Sequence, residues 1–250
     1  MYNIMEVKNI LLFAIIVILL IIVIRYIKKD VNTLTGLTAG QTSQKVEPSD
    51  LASSNTGNSA NFTYSIWFYI DDWNYRYGEP KVIFGRMTTG AAEKEPCPSV
   101  VLGPLENNIL VSLAVYPGID TVPEDGQPPA NVIVHKCPIA NIPIQRWVNL
   151  LISAYGRTLD LYIDGKLVRT CVLPGVAKID PNAPVYITPN GGFSGWTARF
   201  QYWPDSCDPQ KAWNIYKEGY GGSLLGSLFG KYTVKVSLME GDTEESSFSF

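Results

Sequence analysis

The sequence predicts an all-β body built as a two-sheet sandwich, preceded by one N-terminal transmembrane helix. Three observations carry that reading. Short segments of strict two-residue alternation recur along most of the chain, separated by Gly, Pro and Asn, which is the pattern of strands packed on a single core. One stretch, Arg146 to Leu173, contains a nearly complete antiparallel meander. The first thirty residues, by contrast, hold a continuous apolar run. At 250 residues, with 46% hydrophobic and 17% charged side chains, the chain can bury one sizeable core, so one domain with an appendage is expected.

The apolar run is Ile10 to Ile24, including Ile10, Leu11, Leu12, Phe13, Ile15, Ile16, Leu19 and Leu20. At about 1.5 Å per residue it spans only ~22 Å of a hydrocarbon layer ~30 Å thick, so its flanks must extend it. Ile4, Met5 and Val7 precede it, Tyr26 and Ile27 follow, and Arg25 can snorkel toward the headgroups. A cleaved signal peptide would place small residues directly after the run, whereas Arg25-Tyr26-Ile27-Lys28-Lys29 stands there. Residues 1–29 are therefore expected to be a retained, single-pass anchor with the lipid bilayer as its partner. Arg25, Lys28 and Lys29 act as the orientation signal, placing the C-terminal body on the cytosolic side. The Asn61-Phe62-Thr63 glycosylation sequon and the even number of cysteines pull the other way.

Residues 30–60 are rich in Thr, Ser, Gly, Asn and Gln and read as a polar linker. The sandwich is expected over 61–220. Phe62 to Ile70 opens it, with Phe62, Tyr64, Ile66, Phe68 and Ile70 on one face. The opposite face is largely aromatic too, as in a strand partly covered on its outside. Lys81 to Arg86, Val100 to Leu102, Ile109 to Tyr116 and a strand-like segment before His135 follow. Gly118 to Ala130, with its acids and prolines, reads as a long exposed loop.

In the meander, Trp147 to Tyr155 is the first strand, Gly156-Arg157 a tight reversal, and Thr158 to Ile163 the second strand. Leu159, Leu161 and Ile163 point one way and Thr158, Asp160 and Tyr162 the other. Asp164-Gly165 supplies the two positive-φ residues of a type I′ turn, and Lys166 to Leu173 returns as the third strand. A slip of one residue would turn Leu159, Leu161 and Ile163 to solvent, so the register is well specified. Val185 to Thr188 and Thr197 to Trp203 are further strands, Gln210 to Tyr216 a short helical turn after Asp208-Pro209, and Tyr232 to Met239 a last strand. Residues 221–250 make up a glycine-rich link, that strand and an acidic tail.

A Trp closing a loop, an apolar strand, a short turn and then "LDLYIDGKLV" resemble the core of the concanavalin A-like, laminin-G-like jelly-roll family. "GFSGWTARFQYW" and "AWNIYKEG" resemble that fold's closing strand and the connection after it. The resemblance extends from about Phe62 to Tyr220 and implies fold far more than activity, since such sandwiches serve lectins, adhesion modules, hydrolases and structural domains. Anchor, linker, sandwich and "LLGSLFGKYTVKVSL" tail together resemble virion proteins of large DNA viruses of algae and protists. That resemblance implies a minor capsid or membrane protein, lodged in an inner membrane derived from host endoplasmic reticulum and contacting capsid or other virion proteins.

Other chemistries are weighed on their residues. Beyond the anchor, 16 basic and 22 acidic residues remain, a body near −6 that excludes phosphate-backbone binding, so no nucleic acid is expected. Asp71, Asp72, Trp73, Asn74, Tyr75 and Tyr77 form a loop that suits a lectin or adhesin, aromatics stacking on carbohydrate and oxygens holding hydroxyls. Calcium is the one ion those oxygens suit, but such a site needs six or more ligands and three side chains are in view, so no cofactor or metal is expected. The stronger reading of the same loop is packing over the sandwich edge or a protein contact. Glu240-Gly241-Asp242-Thr243-Glu244 has the E-x-D-x-E spacing of a glycoside hydrolase strand, yet it sits in a solvated tail without the burial that raises an acid's pKa, so no enzyme is expected. Cys97, Cys137, Cys171 and Cys207 have no metal spacing. Of the three pairings they allow, Cys97 with Cys137 and Cys171 with Cys207 is the expectation.

Overall fold

The structure is a computed structural model that describes residues 12–13, 15–21, 32–51, 60–90, 94–118, 132–221 and, for the backbone alone, 235–240 and 243–249. The chain divides into a unit Met1–Val31 and a unit Asn32–Phe250. In the first, residues 12–13 and 15–21 are helical, and Leu12, Phe13, Ile15, Ile16, Leu19 and Leu20 are exposed. Ile10, Leu11, Ile24, Arg25, Lys28 and Lys29 lie outside the described residues. No described helix is long and apolar enough to cross a membrane.

The second unit holds two antiparallel sheets. The first is seven-stranded, and along it β1 (Thr33–Thr35), β13 (Gly195–Trp203), β4 (Phe62–Ile70), β9 (Trp147–Tyr155), β10 (Thr158–Ile163) and β11 (Lys166–Val172) lie side by side, with β2 (Thr38–Ala39) also on β13. The second runs β3 (Gln44–Val46), β12 (Val185–Ile187), β5 (Lys81–Met87), β6 (Pro96–Leu102), β7 (Ile109–Val115) and β8 (Ile133–Ile139). A separate two-stranded sheet pairs β14 (Lys235–Glu240) with β15 (Thr243–Ser249).

The residues that alternation assigns to the inner face of β4 are in the core, although the opposite face is largely covered as well. Phe62, Tyr64, Ile66, Phe68 and Ile70 face inward with no more than 1% exposure. They meet Ile83, Phe84, Val100, Leu102, Val111 and Leu113 of the facing sheet in one core. Tyr64 sits at its centre, its ring 4.9 Å from Tyr202, 5.4 Å from Phe62, 5.6 Å from Phe84 and 5.8 Å from Phe200. Burial pushes its phenol far above the ordinary range, against the pull of Arg86, whose guanidinium donates to the hydroxyl at 3.4 Å. The Asp164-Gly165 turn has the two positive φ values expected, 51° and 71°, and the Asp164 carboxylate accepts from Asn149 N at 3.0 Å while pairing with Arg146.

Three differences from the sequence reading have physical causes. Of the stretch 30–60, residues 32–51 do not stay outside the fold, because β1, β2 and β3 each join a sheet and Val46 enters the core. Tyr162, assigned by alternation to the solvent side, is only 1% exposed. It lies with Leu151 and Cys207 beneath Ala212 and Ile215 of the helix α1 (Pro209–Glu218), which covers part of the outer face of the seven-stranded sheet. That helix starts where the Asp208 carboxylate caps Lys211 N at 2.7 Å and Pro209 occupies the first turn.

The third difference is the cysteine pairing. Cys137 is bonded to Cys171, with Cα atoms 6.2 Å apart, while Cys97 and Cys207 are free and buried. β8 and β11 end their respective sheets on the same side of the sandwich, so these two cysteines face each other across the gap and the bridge clasps sheet to sheet. Which sheet edges adjoin decides the pairing, and no local pattern in the sequence marks it. Breaking the clasp with Cys137→Ser should lower unfolding free energy by about 3–4 kcal/mol for a loop of this length, as read by urea titration. Peptide mapping without reduction should recover the 137–171 pair with Cys97 and Cys207 as thiols.

Candidate functional site

The outer face of the six-stranded sheet carries a groove of about 530 Å³. Its floor follows from strand register. Gly85 of β5 stands between Tyr186 of β12 and Ser99 of β6, each its direct cross-strand partner. With no side chain there, the sheet surface is open between the Tyr186 ring, 41% exposed, and the Ser99 hydroxyl. A Cβ at Gly85 would meet nothing closer than Ser99 Oγ at 3.6 Å, so it is the space above the strand that is vacant, without backbone crowding. Val82 and Met87 complete an apolar floor.

Both walls are pinned. On one side Thr89 donates from its backbone N and from Oγ1 to the Asp180 carboxylate, both at 2.6 Å, and Asn182 N donates to the same carboxylate at 2.9 Å. Burial alone would push Asp180 up, but these hydrogen bonds outweigh it and hold the carboxyl below its usual range. Thr88 is tied back by Glu95, whose backbone N donates to Thr88 Oγ1 at 3.0 Å. On the other side stand Pro189 and Asn190. The arrangement offers one aromatic face, an apolar floor, hydroxyls and an amide around a rim, and one ammonium at Lys94. It suits a small ring with an apolar face and a hydroxylated edge.

The aromatic loop is tied to the segment 189–192 beside the groove. Trp73 packs against the core, with the Lys81 ammonium 4.8 Å from its ring centroid. Tyr75 donates its hydroxyl proton to Gly191 O at 3.1 Å, and Asn74 N donates to Asp72 Oδ1 at 2.9 Å. Of the loop's three aromatics only Tyr77 is largely exposed, at 61%. Asp72 and Asn74 are exposed as well, while Trp73 and Tyr75 are half-buried. The loop buttresses the groove, since Arg76 donates to Asn190 O at 2.6 Å while its Nε holds Glu79 at 2.8 Å. Sequence reasoning missed the groove because Gly85, Ser99, Tyr186 and Asn190 come from four separate segments with no shared motif.

The remaining candidates resolve one by one. Among the described residues no three His, Cys, Asp or Glu side chains gather to hold a metal. Glu240 ends β14 and Glu244 lies in β15, opposite Met239, so the E-x-D-x-E carboxylates belong to two strands of a hairpin and not to one catalytic strand. His135 lies on β8 opposite Leu113. The free thiols are not activated: burial raises Cys97, and burial pushes Cys207 up to about 11. In the sequon, Asn61 Oδ1 accepts from Gly156 N at 3.0 Å and Thr63 Oγ1 donates to Asp205 O at 2.7 Å, so both polar residues hold the fold.

No family model and no curated protein matches the chain. Solved structures share its fold. An HCR/D mutant crystal structure aligns at TM-score 0.50 and 11% identity, over 75% of this chain and 45% of that one. The receptor binding domain of botulinum neurotoxin C/D mosaic serotype aligns at TM-score 0.50 and 12% identity, over 75% and 43%. The body is a two-sheet β-sandwich of the same fold, and the chain spans less than half the length of those structures.

Lys81 supplies a test of the loop. Its side chain is 1% exposed, and burial, followed by the neighbouring Arg76 charge, lowers its pKa from 10.5. A lysine depressed in the folded state carries its full destabilising effect below that folded value, and loses it as pH rises toward the unfolded one. Lys81→Met should therefore be more stable than the parent at neutral pH, with the gap in urea midpoint closing as pH approaches 10.5.

Proposed function

We propose that this chain is a membrane-displayed binding module that holds a saccharide in the groove over Gly85 and acts by recognition and not by catalysis. The observation that carries the reading is the groove itself, where an exposed Tyr186 ring and an apolar floor are rimmed by Thr88, Thr89, Ser99 and Asn190. A sugar ring needs an aromatic face for its C–H side and fixed donors and acceptors for its hydroxyls, and pinned walls keep the ordering cost of binding low. One of the solved structures that share the fold is named for receptor binding, which is consistent with this sandwich as a platform for recognition. On a glycan array, Tyr186→Ala should weaken the strongest signal roughly fivefold, about 1 kcal/mol for one ring contact. Gly85→Leu, which fills the floor, should abolish it with the far-ultraviolet spectrum unchanged. A signal indifferent to both substitutions would remove the groove from the reading.

A second reading is a virion protein that lodges in an inner membrane and contacts the capsid shell. It draws on the apolar run Ile10 to Ile24 with its basic flank. Both readings share the anchor and differ in partner, so copurification with capsid protein after detergent extraction, in place of glycan binding, would favour the second. The Cys137–Cys171 bridge supports a body held in an oxidising compartment, opposite to the side expected from the charge rule. Full-length chain made with microsomes should resist carbonate extraction, and its body should survive added protease. Digestion of the body would restore the cytosolic orientation, and release by carbonate would remove the anchor.

A further inference from the structure

β11 ends the seven-stranded sheet, and among the described residues no strand pairs with its outer edge. Six of its seven residues are exposed, with Leu167 at 50%, Val168 at 48% and Val172 at 70%. Such an edge offers a row of backbone donors and acceptors to another strand. It is also basic. Lys166 and Arg169 lie along it, and the Cys137–Cys171 clasp brings Lys136 of β8 beside it. Lys136 and Lys166 make no ion pair among the described residues, and Arg169 donates to Pro138 O at 3.0 Å. In a body of net negative charge this flank is locally positive.

The C-terminal hairpin has the complementary need. Among the described residues β14 and β15 pair only with each other, and a two-stranded sheet by itself is marginal in water. The free strand β15 has the sequence TEESSFS, with Glu244 and Glu245. Pairing of β11 with β11 of a second copy would bring Lys166 and Arg169 of both copies onto one seam, which like charge opposes. Pairing of β15 with β11 sets acid against base.

The geometry points to strand addition between two copies of this chain, in which β15 of each molecule extends the seven-stranded sheet of the other at β11. The exchange is reciprocal, so it closes as a dimer. It is independent of the groove, which lies on the other sheet.

The test uses full-length chain in detergent, an equal mixture of ¹⁵N-labelled and unlabelled protein treated with a zero-length carbodiimide that joins lysine to carboxylate. Cross-links between the Lys166 peptide and the Glu244/Glu245 peptide should appear in mixed-isotope pairs, and light scattering should give a dimer mass. K166E/R169E should raise the dimer dissociation constant at least about tenfold, as expected for four exposed charge pairs, two at each reciprocal seam, and adding E244K/E245K to it should restore the parent value. That rescue separates a lost contact from a damaged fold. Same-isotope cross-links alone would place the hairpin in its own molecule and overturn the proposal. So would a monomer at all concentrations, a dimer unmoved by K166E/R169E, or a monomer whose edge captures an added acidic peptide.

Discussion

Everything in the body depends on two sheets sharing one interior, with every second residue of their central strands committed to it. β4 and β9 lie in the middle of one sheet and β5, β6 and β7 in the other. Their inward residues close around Tyr64, which meets four other aromatic rings. Because side chains alternate strictly along a strand, this commitment leaves no freedom of register, and the outward residues are positioned as firmly as the inward ones. Removing a ring of this size from such a core costs about 3–5 kcal/mol in comparable proteins, a large share of any domain's stability.

The groove is a by-product of that rigidity. Gly85, Ser99 and Tyr186 are aligned because their chain neighbours Phe84, Val100 and Ile187, themselves cross-strand partners, are held in the interior. The rim is then set by polar contacts that the core does not provide, Thr89 with Asp180 on one wall and Arg76 with Asn190 on the other. The aromatic loop braces that groove through Tyr75 and Arg76.

The sandwich treats its margins unequally. The outer face of the seven-stranded sheet is partly roofed by α1, where Trp67 stacks on Tyr216 at 5.6 Å and Arg199 pairs with Glu218. The neighbouring edges β8 and β11 are clasped by a covalent bond yet left open along β11. A covered face and a fastened but unpaired edge are different solutions, and the second leaves hydrogen-bonding capacity unused by the fold.

The sequence by itself determined the strands that carry their own signal. Phe62–Ile70, Trp147–Tyr155 and Thr158–Ile163 have the bounds that alternation assigns, and Asp164-Gly165 turns as that dipeptide requires. These features arise from neighbours a few residues apart, so local pattern suffices. Tertiary structure alone decided that Thr33–Val46 supplies three edge strands, that Cys137 meets Cys171, that Tyr162 is roofed by α1, and that Gly85 opens a groove beside Tyr186. Each of these depends on which distant segments adjoin. A two- or three-residue strand has too few side chains to announce its face, and a cysteine or glycine carries no mark of the partner opposite it until the sheets have closed.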